Sequence, residues 1–446
     1  MLKCVCFSLV FFWSICCWSQ TGSDPTAATP PTTEQEQMEL PPPVSVKAYP
    51  KATGGETRSN YISGWLDLQT SYIDNLYPGT GSKPISEMTY SIQPTITIDQ
   101  TTSRQHRMLT YSPGFTLYRP TSSIDTTEQN AIVVYQYRLT SHANVSANYS
   151  LRKTTTPFLD ESISGSLPNV SQGVIAPFAD LLTNNVDAEF SMQFSPSAMF
   201  GGSGTFMTMR YPSPSQAEGM YNSDQRGGSV FYNRRISAGQ YSGATYRYSW
   251  VHSFPGATQS GVTPIESDTQ TQTVYGFYTI YPSHNVSISA TGGIQYYGVN
   301  ETSSPKINGW APMFMGSVGA QLLRTSFAAS YSREISGGGG LVGAAISTSV
   351  AASLRRQVAR TWTAGVNFSY AINKTVTPLL LVSTEGGHNL VGSAVVEHAI
   401  NRQFTLSFSY NRLHQNYAGI AAINNNPDSD RGTISLKWQF ARPLGR

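Results

Sequence analysis

Near the carboxyl end the chain reads Phe404-Thr405-Leu406-Ser407-Phe408-Ser409-Tyr410, and a little later Thr433-Ile434-Ser435-Leu436-Lys437-Trp438-Gln439-Phe440. Large apolar side chains take every second position, and small or polar ones take the positions between. Successive side chains of a β-strand point to opposite faces, so a period of two marks a strand with one greasy and one polar face. The same alternation runs through Trp362–Tyr370, Met88–Ile98, Val186–Phe194 and Val286–Ile294. From residue 58 onward it recurs in segments of about ten residues, the length a tilted membrane-crossing strand needs.

The connections carry a second regularity. Short ones (His142-Ala143, Pro196-Ser197, Pro282-Ser283-His284, Arg324, Asn401-Arg402) alternate with long ones (153–185, 211–226, 253–268, 299–309, 372–390, 413–430) rich in Pro, Gly, Asn and Ser. In an antiparallel meander every second turn lies at the same end. All tight turns therefore fall on one rim and all long loops on the other, the asymmetry of outer-membrane barrels. The alternation delimits about 18 strands, the first at 60–73 and the last at 431–441. The registers of 198–210 and 269–281 are ambiguous, which makes about 16 the alternative count. The predicted fold class is thus all-β: a transmembrane, antiparallel, up-and-down β-barrel with both termini on the tight-turn rim.

Composition decides which solvent meets the greasy face. Only 12% of the 446 residues are charged, 39% are hydrophobic and 11% aromatic, and mean hydropathy is −0.24. A soluble domain carries roughly 25% charged residues. Here the polar face is Ser, Thr, Gln and Gly, poor in the charge that a soluble surface needs but well suited to a lumen. Lipid also forces closure, because an open sheet edge leaves unpaired N–H and C=O groups in hydrocarbon. Aromatics near strand ends (Tyr246, Tyr248 and Trp250; Tyr296 and Tyr297; Tyr410; Trp438 and Phe440) fit interfacial girdles. No apolar stretch is long enough for a spanning helix, and a net charge of +3 gives no footprint for nucleic acid.

The amino terminus reads as an export signal. Lys3 precedes an apolar run from Cys4 to Trp18, and Cys17 and Ser19 are the small residues before a cleavage site at Gln20. Residues 1–19 are the predicted signal peptide; the alternative keeps Cys16 or Cys17 as an acylated anchor. All four cysteines lie in this segment, so the mature chain has neither a disulfide framework nor a cysteine-ligated metal. Residues 20–57, with Pro30-Pro31 and Pro41-Pro42-Pro43, read as a disordered, extended tether on the periplasmic side. The barrel is assigned to 58–446.

On these features the chain resembles a single-chain bacterial outer-membrane β-barrel. It is similar in particular to large porin-like barrels of unassigned function that have a Pro-rich lead segment and a last strand running into Arg442-Pro443-Leu444-Gly445-Arg446. Such barrels usually end on an aromatic residue read by the assembly machinery; here Phe440 is followed by six more residues. The resemblance implies residence in the cell outer membrane, with membrane lipids and the barrel-assembly machinery as partners. A homo-oligomer is left open.

The sequence shows no catalytic constellation: no H-E-x-x-H, no G-x-S-x-G elbow, no Walker loop. Gly201-Gly202-Ser203-Gly204 lacks the lysine of a phosphate loop, and Gly337–Gly340 sits in a connection. No enzyme, metal or cofactor is expected. The polar phase instead points Arg138, Asp187, Glu189, Arg247, Arg355 and Lys437 into the lumen as pore-lining candidates. They either filter solutes by charge or pair across the bore and brace its wall. Trp65 points inward beside Asp67 and Gln69. The loop 153–185, with Val174, Ile175, Phe178, Leu181 and Leu182, either folds into the lumen or caps the barrel. The functional expectation is a water-filled channel for passive diffusion or export of small polar solutes or oligosaccharides. One alternative is a structural or adhesive barrel with a blocked lumen. Another is a membrane-embedded hydrolase using His252 or His398 near serines.

Overall fold

The computed structural model describes residues 60–75, 86–122, 125–155, 180–213, 220–256, 266–283, 285–302, 304–336, 344–376, 386–417 and 428–443. The signal peptide and tether expected over 1–57 lie outside the described residues, as do the patch Val174, Ile175 and Phe178 and the run Gly337–Gly340.

Eighteen strands form one sheet: β1 (Asn60–Ile73), β2 (Glu87–Thr101), β3 (Gln105–Arg119), β4 (Thr126–Arg138), β5 (Ala143–Thr154), β6 (Leu181–Ser195), β7 (Ala198–Arg210), β8 (Tyr221–Ser237) and β9 (Gln240–Pro255), then β10 (Ser267–Ser283), β11 (Val286–Glu301), β12 (Ser304–Leu322), β13 (Thr325–Ser336), β14 (Ala345–Ala359), β15 (Trp362–Thr375), β16 (Gly387–Ala399), β17 (Phe404–Tyr417) and β18 (Asp428–Pro443). Every neighbour is antiparallel and next in sequence, and β1 closes on β18 from Tyr61↔Pro443 to Ile73↔Arg431. The fold is a closed, up-and-down antiparallel barrel. At about 4.8 Å between strands and a tilt near 40°, eighteen strands enclose a cylinder about 35 Å across, backbone to backbone.

The barrel has a greasy exterior. Directly paired residues face the same side, so one register row fixes the phase all the way round. Leu68, Ile92 and Leu436 share a row and face out. In the same phase Ile96, Phe115, Val230, Val274, Val366 and Ile434 are each at least half exposed. The opposite phase holds buried polar groups such as Ser71, Thr95, Thr273, Ser289 and Ser349. Leaving that apolar exterior in water would cost about 25 cal/mol per Å², so its stable surroundings are acyl chains.

Hydroxyl pairs across neighbouring strands stitch the inner face: Thr95–Ser112 at 2.6 Å, Ser203–Ser229 at 2.8 Å, Thr279–Ser289 at 2.9 Å and Ser407–Ser435 at 2.7 Å. Pairs of this kind are worth roughly 0.2–1 kcal/mol each. Aromatic contacts mark both ends of the outer band. Tyr296–Trp310 lies toward the loop rim, and Phe194–Phe200, Trp362–His398 and Trp438–Phe440 lie toward the turn rim. Tyr297 departs from the girdle expected for it. It shares the inner phase with Gln295 and Val299, and its hydroxyl occupies the space beside Gly309.

Strands on the loop rim run further than the alternation suggested. The loop expected at 299–309 is absent: β11 continues to Glu301 and β12 begins at Ser304. Leu181 and Leu182 open β6 rather than belonging to a loop. Above the band, outward positions such as Lys306 and Asn308 are polar while the inward Ile307 is apolar, so pairing persists where the outward hydropathy signal stops.

Two places interrupt the ladder. Pro94 and Pro113 face each other between β2 and β3, and the register between these strands is missing from Gln93 to Thr95. Proline has no N–H to donate to a ladder, and the inner Thr95–Ser112 bond spans the gap. The second interruption is longer. β12 pairs with β13 only from Phe314↔Arg333 to Leu322↔Thr325. Among the described residues, Ser304–Met313 pair with β11 alone.

Candidate functional site

The second interruption exists because the upper end of β13 leaves the wall and stands inside it. Gln295 of β11 faces the lumen. It holds the backbone of Ile335 at both ends, accepting from its N–H at 2.9 Å and donating to its carbonyl at 3.2 Å. Ile335 belongs to the outer phase of β13, yet it packs with Val299, Ala311 and Ala344, and Tyr297, Ile346 and Val376 lie against that cluster. Val299 and Ala311 belong to the inner phase of β11 and β12. The outer face of β13–β15 therefore rests on the inner face of β11–β12, and the wall overlaps itself at the loop rim.

Arg247 completes the arrangement. It shares a register row with Thr273 and Gln295 and donates to Glu334 at 2.6 Å, although β9 and β13 are four strands apart. Only an infolded β13 brings them together. Thr273 and Gln295, which lie under the infold, are buried at 0% and 1% exposure.

All six sequence candidates lie on the inner phase, in three settings. Arg247 and Arg355 end on carboxylates, Arg355 reaching Glu397 at 3.6 Å across the inward Gly365. Lys437 lies 4.5 Å from the Trp65 ring centroid and directly opposite Asp67, whose carboxylate accepts from Gln69 at 3.1 Å. Trp65 is on the inner phase, as expected. Asp187 accepts from Asn185 at 2.5 Å and sits opposite Asn148 and Thr205; Glu189 sits opposite Ser146 and Ser203. Arg138 lies at the turn rim opposite Asn144. In an eighteen-strand ring, β6 and β14 are eight strands apart, so Asp187 and Glu189 face Arg355 almost diametrically. The structure brings Arg247 to Glu334 and Arg355 to Glu397, and it leaves the acids of β6 on a separate wall.

Sequence reasoning missed Glu334, Glu397 and Gln295. The first two sit on the polar phase of readable strands, and counting inward acids would have found them. Gln295 carried no signal, because its role depends on a strand forty residues away in sequence.

Large inner side chains lie flat where glycine lets them. The Phe231 ring covers Gly201 and the Phe277 ring covers Gly243; a Cβ would meet these rings at 2.4 and 2.5 Å. Flat rings keep their bulk against the wall and out of the bore.

The histidines offered for a hydrolase face outward. His252 stacks on Trp250 and Phe254 and meets Asp268 at 3.0 Å, and His398 stacks on Trp362. Their register partners are Asp224 and Asp268, and Trp362 and Leu406, with no serine among them. Among the described residues no three His, Cys, Asp or Glu side chains stand together as a metal site.

No family model matches the chain, and no curated protein matches it by sequence. Solved structures with a similar fold include the outer membrane protein OpdK from Pseudomonas aeruginosa (9% identity, covering 85% of this chain and 99% of that one, TM-score 0.43). Another is Acinetobacter baumannii OccAB4 (9% identity, 86% and 99% covered, TM-score 0.43). A third is the FrpB iron transporter from Neisseria meningitidis (7% identity, 86% and 82% covered, TM-score 0.43). Likeness at this level assigns no solute and no partner.

Proposed function

We propose that the protein is a bacterial outer-membrane channel, with a water-filled lumen that passes small polar solutes or oligosaccharides. The observation that carries this reading is the inner face, a continuous lining of Ser, Thr, Asn and Gln with a few charges inside a closed eighteen-strand ring. Barrels of eight strands fill their interior with side chains, whereas 16–18 strands leave room for water. The lining makes wetting cheap, and the apolar exterior supplies the membrane anchor. The pore-lining role belongs to Asp187, Glu189, Arg138 and Lys437. Arg247 and Arg355, tied to carboxylates, brace the wall. An outer-membrane setting puts the turn rim in the periplasm and the loop rim outside, with membrane lipids and the assembly machinery as partners.

The infold favours a second reading, a barrel narrowed or blocked on its loop side. Refolded protein in a planar bilayer separates the two. Stable single-channel steps with ion selectivity support the channel. Silence from wild type, with conductance from a variant lacking the Glu334 brace, supports the blocked barrel.

A further inference from the structure

We propose that the split between the outer parts of β12 and β13 is a lipid-headgroup site. It takes the anionic head of an acyl amphiphile that approaches from the membrane side, and it rests on the membrane reading above. Arg333 is the last β13 residue paired to β12 and leaves from the outward face, in register with Phe314. Its Nε is shut off from water and has no hydrogen-bond partner. The next residue cannot supply one, because Glu334 points inward to Arg247. A buried N–H without an acceptor is costly, and more so on a charged group. Above Arg333 the edge of β12 from Ser304 to Met313 is unpaired on the same side among the described residues. Pro312, which has no N–H, sits on this edge, where proline is tolerated.

No acid answers Arg333 on its own face of the wall: no Asp or Glu occupies an outward position on β11–β15 among the described residues. Elsewhere on the loop rim outward cations meet acids: Arg210–Asp224 at 2.5 Å and Arg412–Asp428 at 3.2 Å. The chemistry that answers an outward guanidinium with an unpartnered N–H is a phosphate or carboxylate with more than one acceptor oxygen.

The cleft also has a lipid side. Trp310 is 69% exposed, Phe314 49% and Tyr331 40%, and they border the split at the upper limit of the apolar band. Trp and Tyr favour this boundary, where a headgroup meets its chains. A head at Arg333 lets an acyl chain run down past Phe314 and Tyr331. A bare inorganic ion would leave that strip unused.

The test is native mass spectrometry of the full-length protein refolded in a neutral detergent, titrated with phosphatidylglycerol or phosphatidylcholine. Wild type should retain one phosphatidylglycerol through detergent removal, in preference to phosphatidylcholine. R333Q should bind it at least about tenfold more weakly, and R333K should fall between, keeping charge but losing the planar donors. R356Q, outward on β14 near the turn rim, should bind like wild type. Inorganic phosphate and glycerol phosphate should not displace the lipid. Equal retention by R333Q, equal retention of phosphatidylcholine, or full displacement by inorganic phosphate would each overturn the proposal. If R333Q does not refold, R333K and the headgroup comparison decide. Failure of the membrane reading is visible separately, as the absence of a folded, heat-modifiable species in detergent.

Discussion

The barrel has two seams worth comparing. Between β18 and β1 no turn joins the strands, and yet they pair from Tyr61↔Pro443 to Ile73↔Arg431 with no slip. Between β12 and β13 a tight turn at Leu323-Arg324 holds the strands together, and yet pairing stops at Phe314↔Arg333. Chain connectivity therefore does not decide where the wall closes. Competing partners do. At β1–β18 the ladder is the best offer for both edges. At β13 the lumen offers more: two hydrogen bonds from Gln295, an ion pair with Arg247 and the cluster around Ile335.

That comparison can be broken most forcefully at the closed seam. Leu436→Pro removes a ladder donor in the middle of a strand paired on both sides, at a cost of about 3 kcal/mol or more. The folded, heat-modifiable band should disappear. Asn308→Pro lies on the split edge in the same phase as Pro312 and should leave that band in place, with a midpoint loss below about 1 kcal/mol.

The next largest effect belongs to the brace. Arg247→Ala takes the arginine away from the Glu334 carboxylate, which is only 12% exposed. We expect a loss of roughly 2–4 kcal/mol, reduced from the fully buried case because the arginine itself is partly wet. Single-channel conductance should rise as β13 loosens. The double variant with Glu334→Ala should recover most of the stability while keeping the higher conductance. Recovery of stability together with wild-type conductance would mean that the infold does not narrow the bore.

Gln295→Leu sharpens the same point without touching charge. It leaves the Ile335 N–H and C=O without their partners, for about 1–3 kcal/mol, and hydrogen exchange at Ile335 should accelerate while the β1–β18 amides keep their protection. The smallest effect is at the turn. Leu323 is fully exposed with φ at 47°, a conformation that costs a side-chain-bearing residue about 1–2 kcal/mol. Leu323→Gly should therefore raise the unfolding midpoint slightly, by about 1 kcal/mol or less once glycine's extra chain entropy is deducted.

How much of this was legible follows from the same physics. Alternation is a local property of the chain, so Phe404–Tyr410 or Val186–Phe194 could be read directly, and with them the strand number and the two faces. Strand ends on the loop rim could not, because Lys306 and Asn308 put polar groups on the outer phase where lipid stops and pairing continues. The split was not legible either. Alternation says which face a residue takes and nothing about which edge finds a partner. Arg333 interrupting the apolar phase between Tyr331 and Ile335, and Pro312 doing so on β12, were its only traces. The inner charges were visible by phase. Their pairings were not, since Arg247 meets Glu334 only after a strand leaves the wall.

The central claim is that one phase of every strand meets lipid and the other meets water. A spin-label scan along β6, from Val186 to Phe194 in lipid vesicles, tests it most directly. Labels at Val186, Ala188, Phe190 and Met192 should be relaxed by oxygen, and labels at Asp187, Glu189, Ser191 and Gln193 by an aqueous nickel chelate, with a strict period of two. Aqueous relaxation at both phases would remove the membrane from the account, and its absence from the inner phase would mean a dry bore and no channel.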